Sequence, residues 1–235
     1  MKKEITELTE HRERTRSERK KKNLPVAAIV GYTNAGKSTL LNALTHAGVL
    51  SENKLFATLD PTTRLYELPS GKNLLLTDTV GFISKLPHHL IDAFRSTLEE
   101  ARYADLILHV VDMSNPEFEA EMQVVYETLR GLDITGKPVL TVFNKCDLSP
   151  DNLLVRDPLA EKTVRVSAYT GENLDLLADT LENMLKTSAV YAEFAFPFNE
   201  AGKVQEIRKY GQLLSEEYTE SGIVVKAYVS ESLKN

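Results

Sequence analysis

The residues Gly31-Tyr32-Thr33-Asn34-Ala35-Gly36-Lys37-Ser38 have the order G-x-x-x-x-G-K-[ST]. That spacing curls a backbone around a chain of phosphates, with several N–H groups pointing inward. They follow an apolar run, Val26–Val30, and lead through Thr39 into the helix-like stretch Leu40-Leu41-Asn42-Ala43-Leu44. A helix N-terminus at the end of the loop adds partial positive charge where anions would sit. Lys37 is expected to reach the β- and γ-phosphates as the catalytic cation. The Ser38 hydroxyl is expected to bind Mg²⁺. The expected ligand is a nucleoside triphosphate.

A second cluster, Asn144-Lys145-Cys146-Asp147, follows the strand-like run Pro138–Phe143. The Asp147 carboxylate can accept two hydrogen bonds from the N1–H and N2–H₂ edge of guanine, a donor pair that adenine lacks. Sites built on required hydrogen bonds reject analogues that lack them. Asn144 is expected near N7 and O6, and the Lys145 stem over the base face. The run Thr163–Val166 ends at Ser167-Ala168-Tyr169, where a backbone N–H is expected to reach O6.

Between these clusters lie two segments that could sense the γ-phosphate. Leu74–Thr77 reads as a buried strand ending in Asp78-Thr79-Val80-Gly81, with Asp78 on Mg²⁺ through water and the Gly81 N–H on the γ-phosphate. Upstream, Phe56-Ala57-Thr58-Leu59-Asp60 lies on a polar connector. Thr58 is the first choice for a second Mg²⁺ hydroxyl, with Thr62 and Thr63 as competitors. Such loops are held by γ-phosphate and Mg²⁺ and released on hydrolysis. Where a water-orienting Gln would follow Gly81, the chain has Phe82, so unaided turnover is expected to be slow. Asn34 either helps hold K⁺ against the phosphates or stabilises the loop by local hydrogen bonds.

Strands are expected at Val26–Val30, Thr63–Leu68, Asn73–Thr77, Asp105–Val111, Pro138–Phe143 and Thr163–Val166. Helical patterns fall at Leu86–Tyr103, Glu117–Leu132 and Leu174–Leu185. The turn Pro69-Ser70-Gly71-Lys72 makes the second and third strands an antiparallel hairpin. The fold class is α/β, a mostly parallel sheet flanked by helices, with each motif at a strand C-terminal end. After Lys186 a small β-α-β module is expected. Phe194, Phe196 and Phe198 alternate, a helix carries Val204, Ile207, Leu214 and Tyr218 over Glu200–Thr219, and Ile223, Val225, Ala227 and Val229 alternate again. The expected domains are a basic segment at 1–23, a nucleotide-binding domain at 24–187 and the small module at 188–235.

Of the 235 residues, 42% are hydrophobic and 26% charged, the balance of a globular protein. No apolar run approaches the roughly 18 residues of a membrane span. One cysteine, Cys146, cannot form an internal disulfide, which fits a cytoplasmic location. The net charge of −6 hides an asymmetry, because residues 1–22 carry nine Lys/Arg against five Asp/Glu. That stretch is either a solvated helix or a basic arm for nucleic acid.

The chain resembles the HflX-type GTPases, a translation-associated group, from about residue 12 to residue 230. The resemblance rests on Gly31–Ser38, Phe56-Ala-Thr-Leu-Asp-Pro-Thr-Thr-Arg64, Asp78-Thr-Val-Gly-Phe-Ile83, Phe196-Pro197 and Leu214–Glu220. It implies a P-loop G-domain that binds and hydrolyses GTP with Mg²⁺ in the cytoplasm and associates, as a monomer, with rRNA and protein of the large ribosomal subunit. It assigns Thr58 to Mg²⁺ and groups Phe82 with GTPases carrying an apolar residue there. It also implies an N-terminal domain and a long helical linker, of which this sequence shows only the basic end around Glu10–Lys22. The alternative is a nucleotide-controlled binding module whose turnover is not its output. An ATPase or small-molecule kinase is disfavoured by Asn144–Asp147.

Overall fold

The structure is a computed structural model that describes residues 24–45, 62–79, 81–82, 98, 100–150, 153–187 and 190–229. The expectations on the basic segment, on Phe56–Asp60 with Thr58, on Val80 and on most of Leu86–Tyr103 lie outside the described residues. The chain divides into two compact units. One is Pro25–Leu185, and the other contains the described residues from Lys186 onward.

In the larger unit, strands β1 (Val26–Gly31), β2 (Thr62–Glu67), β3 (Asn73–Asp78), β4 (Leu106–Asp112), β5 (Val139–Asn144) and β6 (Lys162–Arg165) form one sheet in the order β2-β3-β1-β4-β5-β6. All neighbours are parallel except β2 and β3, which are antiparallel as the Pro69–Lys72 turn requires. Central strands buried on both faces read as continuous apolar runs, and β1 does so. Ala27 and Ile29 pack with Leu40, Leu41 and Leu44 of α1 (Lys37–Thr45) and with Leu177 and Leu181 of α3 (Leu174–Thr187). Ala28 and Val30 pack on the opposite face with Leu98, Ala101 and Ala104, and with Val125 and Leu129 of α2 (Phe118–Gly131). The chain reverses its crossover direction on either side of β1. That puts the C-terminal ends of β1, β3, β4 and β5 around the crevice where open α/β sheets take ligands.

One buried polar cluster interrupts the apolar packing. The Asp157 carboxylate accepts hydrogen bonds from the Tyr126 and Thr141 hydroxyls, both at 2.6 Å, and from the Leu159 N–H at 3.0 Å. His109 of β4 stacks edge-on to Tyr126, and burial holds its pKa down at about 4, against the pull of Asp157. These bonds fix the Asp157 segment to β5 and α2.

The smaller unit is a three-stranded antiparallel sheet in the order β7-β9-β8, built from β7 (Val190–Phe196), β8 (Gln212–Thr219) and β9 (Gly222–Val229), with α4 (Ala201–Tyr210). Ala192, Val204, Ile207, Ile223, Val225, Ala227 and Val229 form its core. The expected β-α-β order is present with one strand more. The helix expected to reach Thr219 stops at Tyr210, and residues 212–219 pair with β9. Leu214 and Tyr218 continue the i, i+4 spacing of the helix, so sequence periodicity could not tell the two apart. As strand residues they are largely exposed, and Leu213 packs against the core instead. An ion pair from Arg208 to Glu216 (2.6 Å) ties α4 to the added strand.

Candidate nucleotide-binding site

The phosphate loop is set by close backbone approaches. A Cβ at Gly31 would lie 2.2 Å from the Val110 carbonyl oxygen, and one at Gly36 (φ 96°) would lie 2.2 Å from Asn144 Nδ2. Only glycine fits at either end. Ala35 is buried, and Asn34 stands exposed at φ 62°. The loop ends where α1 begins at Lys37, with Ser38 and Thr39 in its first turn.

Lys37 is 7% exposed, and its ammonium donates to the carbonyl oxygens of Gly31 (3.1 Å) and Tyr32 (2.9 Å). Burial lowers its pKa to about 8, against the favourable pull of Asp78. Ser38 Oγ donates to Asp78 Oδ2 at 2.7 Å, so the two described candidates for a cation are already together. A hydroxyl beside a nearly buried carboxylate is an all-oxygen, hard donor pair. It fits Mg²⁺, which takes few protein ligands and completes its shell with water and phosphate oxygens. Thr63, a competitor for this role, instead faces Thr77 across the hairpin, with the hydroxyls 3.0 Å apart.

Thr79, expected among the nucleotide contacts, is fully buried and hydrogen-bonded to the Ile29 carbonyl through its hydroxyl (2.7 Å). It buckles β3 to β1. Two residues on, the chain rejoins the phosphate loop. The Phe82 N–H donates to the Gly31 carbonyl (3.1 Å), and the Thr33 N–H donates to the Phe82 carbonyl (2.8 Å). Gly81 is pressed against the loop, where a Cβ would lie 2.8 Å from Thr33 Cγ2 and 3.0 Å from Lys37 Nζ. The Phe82 side chain is 1% exposed, in an apolar cluster with Val30, Leu98, Ala101 and Ile107 on which Tyr32 also packs.

At the far side of the crevice lies Asn144, expected near N7 and O6, which also joins two loops. Asn144 is buried, its Nδ2 donates to the Ala35 carbonyl (2.8 Å), and its Oδ1 accepts the Ala168 N–H (3.0 Å). The short spacing between its amide and two backbones makes it a brace between loops. Lys145 is left-handed (φ 63°) and opens the 3₁₀ turn Cys146–Leu148, which carries an exposed Asp147. The Cys146 N–H is held by the Val166 carbonyl (3.1 Å). Ser167 is buried with its Oγ accepting the Thr170 N–H (3.1 Å), and the Tyr169 side chain is 88% exposed. The sequence reading missed Asp112, which receives the Lys145 ammonium at 2.5 Å. Its signal was an Asp two residues before Ser114 at a strand end, a turn-forming pair.

The lowered Lys37 pKa has a measurable consequence. With a pKa near 8, Lys37 becomes increasingly neutral as pH rises through that value, whereas phosphate oxygens placed beside it would favour the ammonium. Nucleotide binding between about pH 8 and 9 is therefore expected to take up a fraction of a proton. Affinity should fall progressively as pH rises through about 8 and level off a unit or more below it. Calorimetric titration in buffers of different ionisation enthalpy reads the proton directly, and buffer-independent heats would refute the assignment.

Comparison with known proteins places these features in a family. Residues 26–145 match the family described as 50S ribosome-binding GTPase. The chain is 60% identical to GTPase HflX of Lacrimispora saccharolytica over 233 residues, covering 99% of this chain and 55% of that protein. The chain spans about half the length of the curated relatives it matches. A GTP-binding protein of Sulfolobus solfataricus, solved in complex with GDP, is 29% identical with a TM-score of 0.56, covering 78% of this chain and 57% of that one. Era, solved with MgGDPNP and nucleotides 1506–1542 of 16S ribosomal RNA, is 25% identical with a TM-score of 0.55, covering 85% and 75%.

Proposed function

This chain belongs to the 50S ribosome-binding GTPase family and is similar to its HflX-type members along nearly its whole length, and from that premise we propose that it binds and hydrolyses GTP with Mg²⁺. The observation that carries the reading is the Asn144 brace, which joins the phosphate loop to the Ser167-Ala168 loop beside Asp147. The proposed domains are 24–187 for the nucleotide and 188–235 for the C-terminal module.

In this reading, Gly31–Thr39 wrap the phosphates and Lys37 leaves the Gly31 and Tyr32 carbonyls for the β- and γ-phosphates. Asp147 reads the guanine edge under the Lys145 stem. Ser38, Asp78 and Thr58 would hold Mg²⁺, which supplies charge neutralisation on the phosphates and appears among the ligands solved with Era. The Gly81 N–H meets the γ-phosphate. Phe82 can neither take a proton nor orient water, so turnover is slow until a partner contributes, and the partner of this reading is the large ribosomal subunit.

Titration with labelled GTP, GDP and ATP tests the base choice. Phosphate release with and without 50S particles tests the coupling, and an absence of stimulation counts against it. The buried Phe82 ring also favours a second reading, a binding module switched by nucleotide, in which turnover is not the output. Comparing partner affinity in GTP-analogue and GDP states, alongside Lys37→Ala, separates the two.

The exposed Asn34 suits a role in holding K⁺ against the phosphates, adding positive charge where an arginine finger would. Turnover is expected to be faster in K⁺ than in Na⁺, and to lose that difference in Asn34→Ala. Equal rates in the two salts would remove the idea.

A further inference from the structure

Asp112 closes β4 and is the register partner of Asn144 on β5. The Met113 N–H donates to the Asn144 carbonyl (3.1 Å), so the two strand ends are joined through backbone. The carboxylate divides its work between its oxygens. Oδ1 accepts the Ser114 N–H (3.0 Å) and the Ser114 hydroxyl (2.5 Å), closing a turn. Oδ2 accepts the Lys145 ammonium at 2.5 Å. The pair is partly screened from water, with the Lys145 side chain 30% and the Asp112 side chain 15% exposed. A short charge-assisted bond in such surroundings is stronger than one on an open surface.

Lysine carries much rotamer freedom, and a ligand that must order the stem gives up affinity to do so. Here both ends of the stem are fixed. The left-handed backbone at Lys145 sets the direction in which the side chain departs, and Asp112 holds its tip. We infer that Asp112 is a positioning residue for nucleotide binding, holding Lys145 so that its stem stands as a preformed wall for one face of the guanine. The inference rests on the guanine-nucleotide reading above. It assigns Asp112 no contact with the ligand.

The test is the release rate of a fluorescent GDP from the full chain, as wild type, Asp112→Asn, Lys145→Met and the double variant. Asparagine keeps an oxygen for Ser114, and so the turn, but loses the charge that holds the lysine. Methionine keeps the stem without the ammonium. Each single change is expected to raise the release rate about tenfold, and the double change no more than either one alone, as expected of two groups acting through one contact. Ser114→Ala, which weakens the turn without touching the pair, should leave release unchanged. Three results would overturn the inference while leaving the guanine reading intact: effects that multiply in the double variant, release from Asp112→Asn equal to wild type, or a Ser114→Ala rise matching it. A wild-type chain that retains no GDP would overturn both.

Discussion

Replacing Asp147 with asparagine is expected to exchange guanine for xanthine. Guanine offers two donors to the carboxylate, N1–H and N2–H₂. Asparagine presents one acceptor and one donor, so its amide N–H₂ would face the guanine amino group with no acceptor between them. Xanthine keeps N1–H and carries a carbonyl at C2, which matches the amide. Unpaired polar groups in a binding site are costly, and GTP affinity should fall by about 100-fold or more while XTP gains what GTP loses. Asp147 is exposed on a short 3₁₀ turn held by Val166, so the change leaves the fold intact. Competition of GTP, XTP and ATP against a fluorescent GDP measures the exchange. Unchanged preference for GTP would remove Asp147 from base recognition and revive the ATP reading.

The second large effect concerns Phe82. By position it invites replacement with the glutamine that other GTPases use to orient water. The structure argues against that repair. The ring is buried in an apolar cluster with Val30 of β1, Ile107 and the helical residues Leu98 and Ala101, against which Tyr32 packs. Its backbone also engages the loop, through Gly31 and Thr33. Phe82→Gln should therefore cost about 3–5 kcal/mol, combining lost burial with an amide left unsatisfied in apolar surroundings. Domains are marginally stable, so that is a large share of the total. Hydrolysis per folded molecule should not rise. Phe82→Leu should cost roughly 1 kcal/mol and leave turnover as it is. Denaturant melts paired with single-turnover phosphate release measure both, and a stable, faster Phe82→Gln variant would sink this account.

Much of the candidate phosphate loop's local structure was legible because it is made of consecutive residues. Gly31–Ser38 must follow a strand and open a helix, and it does both. Asp78 announced itself as an acid at the end of a buried strand, and the structure sets it against Ser38. What escaped were contacts between residues far apart in sequence. The pair of Asp112 with Lys145 and the bonds of Asn144 to Ala35 and Ala168 depend on strand register, which the order of residues does not state. The sequence could flag Phe82 as the wrong residue for orienting water, yet not which way its ring would turn. In the C-terminal unit, Leu214 and Tyr218 kept helical spacing past Gly211, and pairing with β9 overrode it.

The Asn144 brace carries a consequence for how affinity is assembled. In the proposed reading, the purine and its phosphates are two modules of one ligand, and a single amide fixes the span between their docking places. GDP then gains from the covalent tether between its halves, since seating either half brings the other to a high effective concentration at its own position. Slackening that span would erode the advantage of the tether before it erased the attraction of either half. Guanosine and pyrophosphate offered as separate molecules would scarcely notice the change.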